Sequence, residues 1–259
     1  MFHSILLGFV EGLTEFLPVS STGHLLLVES WLKIHRSETF NVLIQVGPIL
    51  AVVIVFYKTL FDFVVGLKSP ETRDEVAKLI VCVGVIGVGG LAMKKFGLEL
   101  PKSPTPVAIA LFVGGLAIFG VEHHAKTRQL FDKMSWAAVF AVTAGQLLAA
   151  AFPGTSRSGA AILAALLFST ARPRATRFAF LSGIPVMFAA GALELRGAAK
   201  SGELATLITF DTLVAFVVAT TMAFLSVVWL MRYIQTRDFR PFGYYRIVVG
   251  ALLLLPIFS

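Results

Sequence analysis

The chain has 259 residues, 57% of them apolar and only 14% charged, with a mean hydropathy of +0.84. A soluble domain of this length carries roughly 25% charged residues, so the composition excludes an ordinary soluble enzyme and points to one integral membrane domain. The net charge of +7 does not mark a nucleic-acid binder. No compact basic patch with interleaved aromatics occurs, and basic residues of membrane proteins gather in cytoplasmic loops.

In chain order, the N-terminal segment is not expected to be a cleaved signal. No Lys or Arg precedes its apolar residues, and Glu11 and Glu15 interrupt them. Helices are expected at about 2–16, 20–32, 39–57, 75–95, 104–122, 135–151, 159–170, 176–195, 211–232 and 242–258. Residues 105–121, 178–193 and 212–231 carry no charge, and the first and last are about long enough to cross a ~30 Å hydrocarbon core. Cys82 is the one cysteine, so no intramolecular disulfide forms; it reads as a small core residue.

Two adjacent helix pairs are broken. The first break is Pro18-Val19-Ser20-Ser21-Thr22-Gly23, the second Pro153-Gly154-Thr155-Ser156-Arg157-Ser158-Gly159. Proline and glycine stop a helix and leave backbone groups without partners. In lipid this is tolerated only where the backbone is buried in protein or lines a wet cavity. Each pair therefore reads as a re-entrant hairpin.

The chain also reads as duplicated. An offset of 135 carries Pro18 to Pro153, Glu11 to Gln146 and Ser21 to Ser156; 137 carries Thr39, Pro48 and Asp74 to Thr176, Pro185 and Asp211; 135 carries Pro106 and Gly115 to Pro241 and Gly250. The two repeats are residues 1–130 and 135–259. Each holds one broken pair and three spans, and an odd number of spans inverts the second repeat. Such architectures place their working site near the midplane between discontinuous helices.

Basic residues orient the whole. Lys58, Lys68, Arg73, Lys78, Lys126, Arg128, Lys133, Arg172, Arg174, Arg177, Arg232, Arg237 and Arg240 fall on one side, 13 in number. Lys33, Arg36, Lys94, Lys95, Lys102, Arg196 and Lys200 fall on the other, 7 in number, with Arg157 and Arg246 set aside as membrane-embedded or at a span end. The richer side is expected to be cytoplasmic, with both termini and the first hairpin facing outward.

The chemistry concentrates at the breaks. Glu11 and Glu15 are four apart and share a helix face. Two carboxylates about 6 Å apart repel by roughly 3 kcal/mol at an effective dielectric near 20, so the pair should share a proton, hold a cation or face a basic group. His24 shares its segment with Ser20, Ser21 and Thr22. The second break offers Thr155, Ser156, Arg157 and Ser158 between Gly154 and Gly159, ahead of a helix. Glycines admit an anion to the backbone N–H groups, a helix N-terminus favours negative charge, and Arg supplies a planar fork for phosphate oxygens. An Arg157 neutralised by Glu11 or Glu15 would instead tie the hairpins together. These residues suit a phosphorylated group at membrane depth, but whether it is cleaved or carried is left open.

Glu11-Gly12-Leu13-Thr14-Glu15-Phe16-Leu17-Pro18-Val19-Ser20-Ser21-Thr22-Gly23-His24, with the motif at 153–159, resembles the undecaprenyl-diphosphatases of the bacitracin-resistance type. The likeness extends through Thr39-Phe40, Ile44-Gln45-Val46-Gly47 and Tyr245-Arg246. Asn41 and Arg177 depart from it, standing where the family often has acids, and Pro48 where it has a small polar residue. The resemblance implies an all-α integral membrane fold of six transmembrane helices plus two re-entrant hairpins in an inverted repeat, in the bacterial inner membrane. It implies hydrolysis of undecaprenyl pyrophosphate to undecaprenyl phosphate and inorganic phosphate. That reaction recycles the lipid carrier for peptidoglycan and other envelope polymers and confers bacitracin resistance.

The resemblance further implies a divalent cation, Mg²⁺ or Ca²⁺, at Glu11 and Glu15, and functional roles for Glu11, Glu15, Ser21, His24 and Arg157. Substrate contacts are expected from Ser20, Thr22, Gln45, Gly154, Thr155, Ser156, Ser158 and Gly159. Ser21 is the expected nucleophile with His24 as proton shuttle; the rival assignment makes His24 the nucleophile and Ser21 a phosphate contact. Expected partners are the prenyl pyrophosphate and the bilayer, no nucleic acid, and a homodimer as an open alternative. The competing function is a lipid-phosphate transporter or flippase.

Overall fold

The computed structural model describes residues 1–34, 36–98 and 103–254. The expected basic residue Lys102 and the last residues of the helix expected at 242–258 lie outside them. Twelve α-helices form among the described residues: α1 (Phe2–Thr14), α2 (Ser21–Leu32), α3 (Glu38–Val55), α4 (Tyr57–Val65), α5 (Pro70–Phe96), α6 (Pro104–Lys126), α7 (Trp136–Ala151), α8 (Arg157–Leu167), α9 (Arg172–Ser201), α10 (Glu203–Leu207), α11 (Phe210–Tyr233) and α12 (Arg240–Leu253). No β-strand forms among them; one isolated bridge joins Phe131 and Thr170.

Four helices, α5, α6, α9 and α11, are long and apolar enough to cross a membrane. A fifth span results if the α3 segment Thr39–Val55 and the segment Tyr57–Lys68 count as one, although they meet at 61°. Helix α3 agrees with the helix expected at 39–57, whereas α4, beyond the bend, is not among the expected helices. Phe56 leaves helical geometry at φ −101°, ψ 16°, and α4 buries none of its residues. Only Leu60 and Phe63 of α4 pack, partly buried, against the main core. Helices α1, α7 and α8 are apolar but short, because the two breaks cut them off.

The helices are held mainly by close backbone approach, since lipid tails offer no less apolar surface than a neighbouring helix. Helix α1 lies on α11 through Gly8 and Gly12. A Cβ at Gly8 would stand 2.3 Å from the carbonyl oxygen of Ala215, and one at Gly12 2.2 Å from that of Ala219. Ser226 of α11 adds a hydroxyl donated to the Gly12 carbonyl at 3.2 Å. Helices α7 and α8 meet likewise, with Gly145 against the backbone of Ala160.

Contacts come in matched pairs. Helix α1 packs on α11 as α7 packs on α5; α3 packs on α11 as α9 packs on α5; α2 meets α12 as α8 meets α6. Large interfaces also join α6 to α12, α7 to α8, α3 to α9 and α8 to α9. Both α3 and α9 carry an internal proline, Pro48 and Pro185. Below the breaks, the wholly buried Glu122 of α6 forms an ion pair with Arg172 at the start of α9 and accepts the backbone N–H of Phe239 at 2.9 Å. This carboxylate ties together the ends of three helices.

Candidate active site at the two helix breaks

Both breaks end in a serine forced into the same unusual backbone. Ser20 has φ 73°, ψ 100° and Ser156 has φ 68°, ψ 110°, each as the N-cap of the helix that follows. A non-glycine residue at positive φ costs on the order of 1–3 kcal/mol. Each serine offsets part of that cost by capping: Ser20 Oγ accepts Gly23 N–H at 3.4 Å, and Ser156 Oγ accepts Gly159 N–H at 3.2 Å. The caps are 136 residues apart (156 − 20), one more than the offset relating Pro18 to Pro153.

The breaks are docked onto each other. The Ser158 hydroxyl lies 3.2 Å from the Leu17 carbonyl and 3.4 Å from that of Glu15, and Ser156 Oγ lies 3.5 Å from the Leu17 carbonyl. A Cβ at Gly159 would come 3.3 Å from Pro18 Cβ. The hydroxyls of Ser156 and Ser158, expected to face substrate, are thus engaged with the first break. Gly154, at φ 93°, lies so close to Val107 that a Cβ would meet its carbonyl oxygen at 2.7 Å. Thr155 is half-buried in the turn, its N–H donated to the Phe152 carbonyl at 3.1 Å.

Arg246 of α12 stands behind both breaks. It is 1% exposed and has the largest wholly buried side chain among the described residues. Its guanidinium donates to the carbonyls of Pro18 (3.2 Å), Gly154 (3.2 Å), Ala110 (3.1 Å) and Leu111 (3.3 Å). Gly114 makes the room, since a Cβ there would collide with the guanidinium. One side chain therefore fixes the first break, the second break and α6 together. The sequence reading sets Arg246 aside, yet an arginine inside the apolar run of α12 is itself the signal of an intramembrane role.

A cavity of about 140 Å³ opens between α1, α2 and α3, lined by Glu11, Ser21, Thr22, Leu25, Leu26, Glu29, Asn41, Val42 and Gln45. Glu11 is 2% exposed and Glu15 is also buried, at the C-terminus of α1. Glu11 and Glu15 lie one helical turn apart, both buried, and two neighbouring buried carboxyls call for a shared proton, a cation or a basic neighbour. Ser21 Oγ donates to Glu15 Oε2 at 2.5 Å. Arg157, the first residue of α8, is half-buried and attracts Glu11. It forms no hydrogen bond or ion pair among the described residues, so the charge is not locked in a tie between the hairpins.

His24 is placed differently. Its Nδ1 lies 2.7 Å from the Ser20 carbonyl and its Nε2 2.7 Å from the Tyr245 hydroxyl, and it does not line the cavity. The structure thus joins Ser21 to Glu15, and His24 to Tyr245 across 221 residues of sequence. Sequence reasoning also passes over Leu25, Leu26 and Glu29 as cavity residues, and takes Asn41 only as a departure. The i, i+3, i+4, i+7 spacing of Thr22, Leu25, Leu26 and Glu29 is the signal that could have found them.

The cavity's donors are hard oxygens: the Glu11 and Glu29 carboxyls, the Ser21 and Thr22 hydroxyls, and the Asn41 and Gln45 side-chain amides, with the Asn41 Oδ1 buried and unpartnered among the described residues; Glu15 reaches its edge through Ser21. Among the described residues no group of three or more His, Cys, Asp or Glu gathers as a metal centre. The residues present fit a hard divalent cation bound by one or two carboxylates, with the rest of its shell left to water and phosphate oxygens.

Fold and site together define a helical membrane protein with carboxyls, a carboxylate-bound serine and a half-buried arginine gathered where two broken helices meet. The chain belongs to the family described as bacitracin resistance protein BacA, whose profile it matches over residues 4–252. It is 47% identical over 253 residues to an undecaprenyl-diphosphatase of Rhizobium etli, covering 97% of this chain and 95% of the relative. It is 44% identical over 255 residues to that of Xylella fastidiosa (98% and 97%), and 44% identical over 256 residues to that of Xanthomonas oryzae (98% and 96%).

Proposed function

We propose that the protein is an undecaprenyl-diphosphatase, removing the terminal phosphate of undecaprenyl pyrophosphate in the bacterial inner membrane and thereby conferring bacitracin resistance. The observation that carries the reading is the 2.5 Å bond from Ser21 Oγ to Glu15 at the edge of a cavity lined by Glu11. A short charge-assisted bond of this kind prepares a hydroxyl to lose its proton. The cavity is far too small for a fifty-five-carbon chain, so only the diphosphate head enters and the tail stays in lipid. Leu25, Leu26 and Val42 give one wall of it an apolar face for the first prenyl carbons.

In the proposed reaction, Ser21 Oγ attacks the terminal phosphorus as its proton passes to Glu15. The bond to the bridging oxygen breaks and undecaprenyl phosphate leaves with that oxygen. Water then attacks the phosphoserine, Glu15 returns its proton to Ser21 Oγ, and inorganic phosphate departs. Arg157 and the backbone N–H groups at the start of α8 bear the charge on the transferring phosphoryl. Mg²⁺ or Ca²⁺ at Glu11 and Glu15 would supply Lewis-acid neutralisation of the diphosphate. Between the two candidate nucleophiles, the geometry favours Ser21, which faces the cavity and is bonded to a carboxylate; His24 does neither.

The same reading takes the fold as six spans with two re-entrant hairpins in an inverted repeat of 1–130 and 135–259, opening outward. The matched helix contacts and the paired serine caps support it. The test is phosphate release from a C55 diphosphate by purified protein, for native chain and Ser21→Ala. The native chain should release phosphate, and Ser21→Ala should lose at least about 10³-fold. No release by native protein would point to a carrier; full release by Ser21→Ala would remove Ser21 as nucleophile.

A further inference from the structure

Ser21 is aimed by its neighbour. The peptide between Ser20 and Ser21 follows a residue at φ 73°, a conformation that a residue other than glycine adopts at a cost in free energy. The cap bond from Gly23 N–H is long, at 3.4 Å, and the shorter restraint is the 2.7 Å bond from His24 Nδ1 to the Ser20 carbonyl. A carbonyl only accepts, so Nδ1 carries the proton and Nε2 of the neutral ring has a free lone pair. The Tyr245 hydroxyl lies 2.7 Å from Nε2, placed to donate to that lone pair, and the two rings lie parallel, 5° apart in tilt with centroids 5.4 Å apart.

His24 is therefore engaged at both nitrogens and is not among the residues that line the cavity. Tyr245 is in turn held by its neighbour Arg246, which is bonded to the carbonyls of both breaks. The second break has the same serine backbone but no such brace: 136 residues beyond His24 stands Ala160. The brace exists only at the break that carries the carboxylate-bound serine.

We propose that Tyr245 is a positioning residue, which through His24 holds the Ser20 peptide in the conformation that points Ser21 Oγ at Glu15. This rests on the reading of Ser21 as nucleophile. His24 then acts on the reaction through the backbone and carries neither phosphoryl group nor proton.

The test compares Tyr245→Phe, His24→Asn and the double variant with native protein, in detergent, at matched thermal stability. Phe keeps the ring stack and loses the hydroxyl; Asn keeps an N–H donor for the Ser20 carbonyl. Tyr245→Phe should lower kcat about 10- to 100-fold with KM little changed, as expected for a misaimed nucleophile. The double variant should be no slower than the slower single one, because both act on one element. ¹⁵N spectra of histidine-labelled protein, with His24 assigned by its loss in His24→Asn, should show an Nδ1-protonated ring whose Nε2 resonance moves in Tyr245→Phe. Should Tyr245→Phe not insert, Tyr245→Gln replaces the hydroxyl with an N–H donor; a bonded Nε2 there, with more turnover than Tyr245→Leu, supports the proposal equally, and turnover no better than Tyr245→Leu counts against it. Native kcat in Tyr245→Phe, losses that multiply in the double variant, or a ring protonated at Nε2 would each overturn the proposal. Full inactivation by His24→Asn, to the level of Ser21→Ala, would assign His24 to the chemistry instead. Activity of Ser21→Ala is a separate outcome and bears on the nucleophile alone.

Discussion

Replacing Gly12 with alanine should disable the site without altering one functional group. A Cβ at Gly12 would stand 2.2 Å from the carbonyl oxygen of Ala219 and 2.9 Å from its carbonyl carbon and Cα, all of them backbone atoms of α11. Ordinary contact begins near 3.4 Å, so α1 must withdraw by about 1 Å, at an overpacking cost of about 1–3 kcal/mol. Alanine's better helix propensity returns about 1 kcal/mol, and the net loss of stability is small. Glu11 is the adjacent residue and moves with the helix, and a misplacement of about 1 Å costs on the order of 10²-fold in rate. The expected result is a large fall in kcat with only a few degrees of thermal shift. Gly120→Ala is the control: nothing lies within 4 Å of a Cβ there, so it should stabilise slightly and leave kcat alone. Native turnover in Gly12→Ala, or equal behaviour of the two variants, would refute the claim that close approach of α1 to α11 sets the carboxylate.

Arg157→Lys should insert normally and lose most of its phosphate release, because lysine keeps the charge but not the planar fork; near-native turnover would mean a point charge suffices. Excess chelator should abolish turnover and Mg²⁺ or Ca²⁺ restore it, which metal-analysed protein can check directly. Arg246→Met should destabilise the protein by about 2–6 kcal/mol, since the Pro18 and Gly154 carbonyls lose their guanidinium donor and an unsatisfied buried group costs about 1–3 kcal/mol each; thermal unfolding in detergent measures it. With Cys82→Ser as background, a cysteine at Lys33 should react with a membrane-impermeant thiol reagent in intact cells and one at Lys68 should not; the reverse pattern would turn the cavity toward the cytoplasm.

The sequence by itself determined the class and most of the chemical inventory. Long uncharged runs have one physical solution in a bilayer, helices that satisfy their own backbone, and α5, α6, α9 and α11 follow. Proline and glycine at 18, 23, 153, 154 and 159 marked both breaks because their backbone preferences are local. Glu11, Glu15 and Ser21 were legible because charge and hydroxyl groups stand out in an apolar chain. Helix α4 was not legible, since it buries none of its residues and only Leu60 and Phe63 lean on the core. Nor was the division of labour at the first break. Ser21 and His24 are three residues apart on one helix, and nothing local says that one turns to a carboxylate and the other to Tyr245. Only the tertiary structure decided that, by bringing α12 across from the far end of the chain and seating Arg246 behind both breaks. Hydrogen bonds act over about 3 Å whatever the separation in sequence, and here the separations are 221 and 228 residues.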